Sequence, residues 1–182
     1  MILLLDSTVM MNCIDRCKTV DLIKKLAEYP YDIEIVNTVY EEYVNGAKKY
    51  PQRCNLERFN EHIGAAIKVI DDSLLPITHI AQLMALDAGE LFSATYLLEY
   101  PADRVLCTDD KATHKALQKL GVKCLWTANL LQLLHQRNPC LLEAAQLISC
   151  FEEMKQNGFF GIPTTDINLE LHIDIQNYII GD

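Results

Sequence analysis

Ile2-Leu3-Leu4-Leu5-Asp6 is the stretch on which the fold turns. Four apolar residues in a row read as a strand buried on both faces, and the run ends in an acid. Val105-Leu106-Cys107-Thr108-Asp109-Asp110 repeats the pattern in the second half of the chain. Strands that are apolar on both faces belong to parallel sheets covered by helices, where ligands sit at the carboxyl ends. Two such strands would bring carboxylates together at one end of a sheet. Like charges repel, and a divalent cation is the usual reason to tolerate them there.

Outward from these two runs, strands and helices alternate. Thr19-Val20-Asp21 opens a helix that runs to about Tyr29 and stops at Pro30. Asp32 to Val36 alternates as a strand. Asn37 or Thr38 caps a helix that Gly46 ends, and Ala66 to Ile70 reads as a short strand. His79 to Leu86 and Glu90 to Tyr100 read as helices, with a break at Asp87-Ala88-Gly89-Glu90 between them. Arg104 to Cys107 is a strand, Lys111 to Leu120 a helix ended by Gly121, and Val122 to Leu125 a further strand. Thr127 caps a helix to about His135, and a long amphipathic helix covers Leu141 to Asn157. A final helix or mixed segment follows Gly158, Gly161 and Pro163 and reaches Ile180. The alternation predicts an α/β fold with a mainly parallel sheet. Residues 1–138 form the expected core, and 139–182 a helical extension packed on the same domain.

The 182 residues suffice for one domain with a full core, and half of them are hydrophobic. No apolar run reaches the roughly 20 residues of a membrane span, so no membrane partner is expected. Met1 to Leu5 is too short for a signal peptide and has no basic segment before it. The seven cysteines include no CxxC and no second Cys/His pair at zinc spacing. They read as reduced, packed thiols, and the expected location is cytoplasmic. The formal charge of −9 disfavours generic nucleic-acid binding, although it says nothing about local patches.

Acids recur at element boundaries: Asp6, Glu41 and Glu42, Asp87 and Glu90, Asp109 and Asp110. A carboxylate in a helix's first turn is favoured by the dipole by about 0.3–1 kcal/mol. Singly, Glu41, Glu42 and Glu90 are therefore ordinary helix-start acids. In order, with Ser7, Thr8 and Val9 after Asp6, with Val39-Tyr40-Glu41-Glu42, and with Leu86-Asp87-Ala88-Gly89-Glu90 leading Ser93, Ala94 and Thr95, they resemble the PIN domain, a family of metal-dependent ribonucleases. Leu120-Gly121-Val122-Lys123 and Thr127-Ala128-Asn129-Leu130-Leu131 resemble one branch of it, although Trp126 stands where that branch often has glycine.

The resemblance implies a three-layer α/β/α sandwich with a carboxylate site holding Mg²⁺ or Mn²⁺. Asp6, Glu42, Glu90 and Asp110 are the catalytic candidates, and Asp109 competes with Asp110 as metal ligand. Asp87 competes with Glu90 or supports it. Thr8 and Thr108 have hydroxyls placed to orient carboxylates or water, or simply to cap strand ends. Lys111 and Lys115 begin a basic helix stripe beside the acids and are candidates for RNA phosphates. Lys48, Lys49, Arg53 and Arg58 form a second basic cluster, more simply read as solvated surface. The implied activity is RNA hydrolysis. Small members of the family often act as toxins restrained by a partner, so an antitoxin-like protein inhibitor and a homodimer are further expectations. The rival readings are an inactive PIN-like module that binds RNA or protein, and an aspartyl phosphotransferase. The last lacks its usual companion acid, because position 8 is threonine.

Overall fold

The computed structural model describes residues 1–76, 83–158 and 168–180. At its centre lie β1 (Ile2–Leu5), β2 (Asp32–Val36), β3 (Ile67–Ile70) and β4 (Arg104–Cys107). All pair in parallel, in the order β3-β2-β1-β4. Leu3, Leu4, Leu5, Val105, Leu106 and Cys107 are all buried, as both-face apolar runs require. The two acid-tipped strands are direct neighbours: Leu5 of β1 stands opposite Cys107 of β4, and the Asp6 N–H donates to the Cys107 carbonyl at 3.0 Å. Asp6 and Thr108 thus leave the sheet side by side.

Helices cover the sheet as a three-layer α/β/α sandwich. They are α1 (Ser7–Met11), α2 (Leu22–Glu28), α3 (Asn37–Lys49), α4 (Leu56–His62), α5 (Ala88–Glu99), α6 (Lys111–Gln118), α7 (Thr127–Arg137) and α8 (Ala144–Gln156). A π-helical turn, Asn12–Arg16, continues α1, and a 3₁₀ turn spans Ile175–Tyr178. Among the strand residues, Glu34 on β2 is the charged side chain that is buried. Its carboxylate is met by Arg104 Nε at 3.1 Å, Lys68 Nζ at 3.5 Å and the Tyr96 hydroxyl at 3.2 Å, as a buried charge demands.

Several boundaries differ from those expected. Gly46 does not end α3, which runs on to Lys49 before Pro51. A Cβ at Gly46 would meet nothing within 4 Å, so this glycine is an ordinary helix-interior residue. Val122 to Leu125 is not a full strand. Only Leu125 bridges β4, through Leu125 N–H to the Leu106 carbonyl and Thr108 N–H to the Leu125 carbonyl, because the segment turns into α7 one residue later. Gly121, at φ +79°, does end the α6 region. Leu83 to Leu86 form a turn rather than helix, and the remainder of the expected His79–Leu86 helix lies outside the described residues, as do Gly161 and Pro163. Beyond α7 the chain stays tied to the core. Glu153 of α8 accepts from the Lys18 and Thr19 N–H groups at 3.0 and 3.2 Å, and Gln136 of α7 accepts from the Ile173 N–H at 3.1 Å. No helix among the described residues is long and apolar enough to cross a membrane.

Candidate active site

The carboxyl edge of the sheet gathers acids, and helix starts hold most of them. The Asp110 carboxylate caps α6, accepting from the Thr113 N–H at 2.7 Å. Asp72, just after β3, accepts from the Thr38 N–H at 2.8 Å in the first turn of α3. Glu42 reaches from α3 to the first turn of α5 and accepts from the Gly89 N–H at 2.9 Å. Asp87 and Glu90 form a capping box on α5, with the Asp87 N–H 3.3 Å from Glu90 Oε2. Asp109 accepts from the N–H of Thr127, the first residue of α7, at 2.9 Å, and from the Thr127 hydroxyl. Each of these carboxylates sits where free N–H groups and the helix dipole favour negative charge. That is how an acid-rich edge stays folded.

Asp6 differs. Its side chain is 1% exposed. Oδ2 accepts from the Thr8 hydroxyl at 2.9 Å and the Thr108 hydroxyl at 3.0 Å. Oδ1 is buried with no hydrogen-bond partner among the described residues. Thr8 and Thr108 are relays: Thr8 Oγ1 also accepts from the Asp109 N–H at 3.1 Å, and Thr108 Oγ1 from the Asp110 N–H at 3.1 Å. The backbone after β4 is thereby fixed to the acid after β1.

The acids feel one another. Burial pushes the Asp6 carboxyl above its ordinary range, against the pull of the Ser7 N–H, the Thr8 and Thr108 hydroxyls and the Thr8 N–H. Burial and the charges of Asp110, Asp6 and Asp87 bring Glu90 up to about 7. Burial raises Glu42, with Asp6 and Asp87 adding to it and the Gly89 N–H opposing. Asp109 rises to about 6 through burial, opposed by its bonds to Thr127 and Asn12. One charge field thus runs through Asp6, Glu42, Asp87, Glu90, Asp109 and Asp110.

The structure separates the two acids after β4. Asp109 is 2% exposed and its oxygens are taken by Thr127 and by Asn12 Nδ2, the latter at 2.6 Å. Asp110 is half-buried and spends one oxygen, Oδ1, on its cap. Asn12 escaped the sequence reading. It is fully buried in the π-helical turn, and Arg16 Nη1 donates to its Oδ1 at 2.7 Å. The available signal was a lone amide among the apolar residues Val9, Met10, Cys13 and Ile14. Thr127 was expected as a cap; instead Trp126 takes that position and Thr127 turns its hydroxyl to Asp109.

Gly89 also has a use that the sequence hid. It is not a break but the second residue of α5, and a Cβ there would lie 2.5 Å from Glu42 Oε2. Glycine is what lets the Glu42 carboxylate approach the helix start.

The family model of the PIN domain matches residues 2–165. The chain belongs to the PIN domain family. Comparison with curated proteins and with solved structures gives no match. PIN domains are generally nucleases that act on RNA and usually use divalent metals. The donors at this PIN domain's acidic edge suit such a metal, since they are hard oxygens with no thiolate or imidazole among them. Asp6 Oδ1 is a buried acceptor in want of a partner. As placed, however, no three His, Cys, Asp or Glu side chains among the described residues form a group that could hold a metal ion. Glu42 and Glu90 are each drawn to a backbone N–H at the start of α5. The oxygen chemistry of these donors fits a divalent cation.

Proposed function

We propose that this PIN domain is an endoribonuclease that hydrolyses RNA phosphodiester bonds with the help of Mg²⁺ or Mn²⁺. The observation that carries the proposal is Asp6: a buried carboxylate with one oxygen unpartnered, whose charge is felt by Glu42, Glu90 and Asp109. Asp6, Glu42, Glu90 and Asp110 are the residues that would hold the cation. When bound, the cation supplies water activation and stabilises charge on the attacked phosphate. Asp6 anchors the site because two strands and two threonine hydroxyls fix it. Burial and the neighbouring acids bring Glu90 to about 7 in the metal-free chain, so a cation held by Glu90 would displace a proton from it near neutral pH. Asp109 holds Thr127 of α7 and Asn12, and the Thr108 hydroxyl holds the Asp110 N–H. Lys111 and Lys115, on exposed positions of α6 beyond Asp110, contact substrate phosphates.

A cleavage assay on single-stranded RNA tests this. Cleavage is expected with Mn²⁺ and not with chelator, and Asp6→Asn should lose at least ~10²-fold, the scale of several kcal/mol of charge stabilisation. Equal cleavage by both proteins would overturn the proposal. A second reading, a PIN module that binds RNA or a protein partner without cutting, is favoured by the lack of three converging ligands among the described residues. It requires that Mn²⁺ bind weakly and cleave nothing. An inhibitor protein and a dimer remain compatible with either reading and are tested by mass measurement of the isolated protein with and without its partner.

A further inference from the structure

A cleft of about 450 Å³ opens along α6, whose first residue follows Asp110, lined by Lys111, His114, Lys115, Lys123, Trp126 and Tyr178 among others. Lys111, His114 and Lys115 share one face of α6, at spacings of three and four residues. Lys123 comes from the segment before α7, and Tyr178 from the 3₁₀ turn Ile175–Tyr178, beyond the family match. Among the described residues no carboxylate forms an ion pair with any of the three lysines. In a chain of net charge −9, three uncompensated cations around one cleft are a local reversal of sign.

The cleft also has a rigid aromatic wall. The His114 and Trp126 rings stack with centroids 3.6 Å apart and planes 6° from parallel. His114 Nε2 lies 2.9 Å from the Thr108 carbonyl, and Thr108 is the residue whose hydroxyl donates to Asp6. One residue therefore fixes both the acid and the aromatic wall. The tail that brings Tyr178 is anchored on α7, where the Gln132 amide donates to the Asn168 and Leu171 carbonyls.

We infer that this cleft is a nucleotide subsite for a single-stranded RNA, in which a base packs against the His114–Trp126 wall and Tyr178 while Lys111, Lys115 and Lys123 take the neighbouring phosphates. Aromatic platforms beside cations are how proteins hold unpaired bases with little sequence preference. The geometry fits the nuclease reading, on which the inference rests: Lys111 follows Asp110 directly, so a strand lying in the cleft has its backbone at the acidic edge. The reading also assigns a use to Trp126 and to the C-terminal turn, neither of which the acidic site employs.

Trp126 is the chain's single tryptophan, so its fluorescence reports this wall alone. The experiment titrates full-length protein in chelator, where no cleavage occurs, with a short unstructured oligoribonucleotide, a nucleoside monophosphate and inorganic phosphate. RNA should quench Trp126 saturably, and the log of affinity should fall with the log of salt with a slope of about −2, from three phosphates at ~0.7 each. Lys123→Glu, an exposed change that leaves the core intact, should weaken RNA at least ~5-fold, and Trp126→Ala should do the same by anisotropy of labelled RNA. Quenching by the monophosphate as well supports the subsite. Quenching by inorganic phosphate but not by RNA overturns it. If RNA is cleaved in an Asp6-dependent way while Lys123→Glu and Trp126→Ala leave affinity and KM unchanged, the subsite is wrong and the nuclease reading stands. If the quench and the Lys123 effect appear but no metal supports cleavage, the nuclease reading is wrong and the subsite stands.

Discussion

Asp6 and Asp109 are both buried at the carboxyl edge, yet only Asp109 has both carboxylate oxygens hydrogen-bonded among the described residues. Asp109 depends on Asn12 and Thr127. Asn12→Ala leaves its Oδ2 short of one buried donor and should cost about 1–3 kcal/mol in urea unfolding at pH 8. The loss should shrink toward pH 5, where Asp109, already raised to about 6, takes up a proton. Asp6 lacks a donor at Oδ1, so Asp6→Asn removes a buried charge and should raise the melting temperature of the metal-free protein at pH 8 while abolishing cleavage. A residue whose removal stabilises the fold and destroys activity serves function rather than folding. The sequence made Asp6 legible because four apolar residues leave no other place for the acid. It left Asp109 and Asp110 open, since both follow the same strand, and only the side-chain directions tell the buried strut from the half-exposed cap.

At the scale of elements, two glycines inside helices have opposite characters. Gly46 faces open space within α3, so Gly46→Ala should stabilise the protein by about 0.5–1 kcal/mol with activity unchanged. Gly89 sits against Glu42, so Gly89→Ala should displace that carboxylate and lower both stability and Mn²⁺ affinity. In a Glu42→Ala background the same change should become stabilising, because only the carboxylate forbids the methyl group; a double-mutant cycle measured by urea unfolding checks the reversal of sign. Sequence alone treats both glycines as stops. Nothing local distinguishes them, because the difference lies in a glutamate 47 residues away. The strands were legible for the contrary reason: each is a short run whose burial follows from its own composition. The π-helical turn at Asn12–Arg16 has no such pattern, and the segment before α7 looks like a strand but pairs only at Leu125 before the chain turns into α7.

For the whole molecule, the raised acids set the pH dependence. A carboxyl whose folded pKa exceeds its unfolded value keeps its proton in the folded chain after the unfolded chain has lost it. The folded state then binds more protons, and stability falls as pH rises. With Glu90 raised from 4.5 to about 7 and Asp109 from 3.8 to about 6, the metal-free protein should lose stability from about pH 4 to 7 and level off above. Mn²⁺ should therefore raise the melting temperature more at pH 8 than at pH 5.5. We propose that residues 139–182 belong to the same folding unit as the core. Ending the chain at Asn138 would remove the buried Leu147, Cys150, Phe151 and Met154 of α8, and should abolish cooperative unfolding. A divalent cation held at Asp6 is what the proposed activity requires. The most direct measurement is anomalous diffraction from a crystal soaked in Mn²⁺. The expected result is a peak ~2–2.6 Å from Asp6 Oδ1, with Glu90 or Glu42 turned toward it and Asp110 in reach directly or through water. A fully loaded crystal with no peak at Asp6, or with its manganese elsewhere, would contradict it.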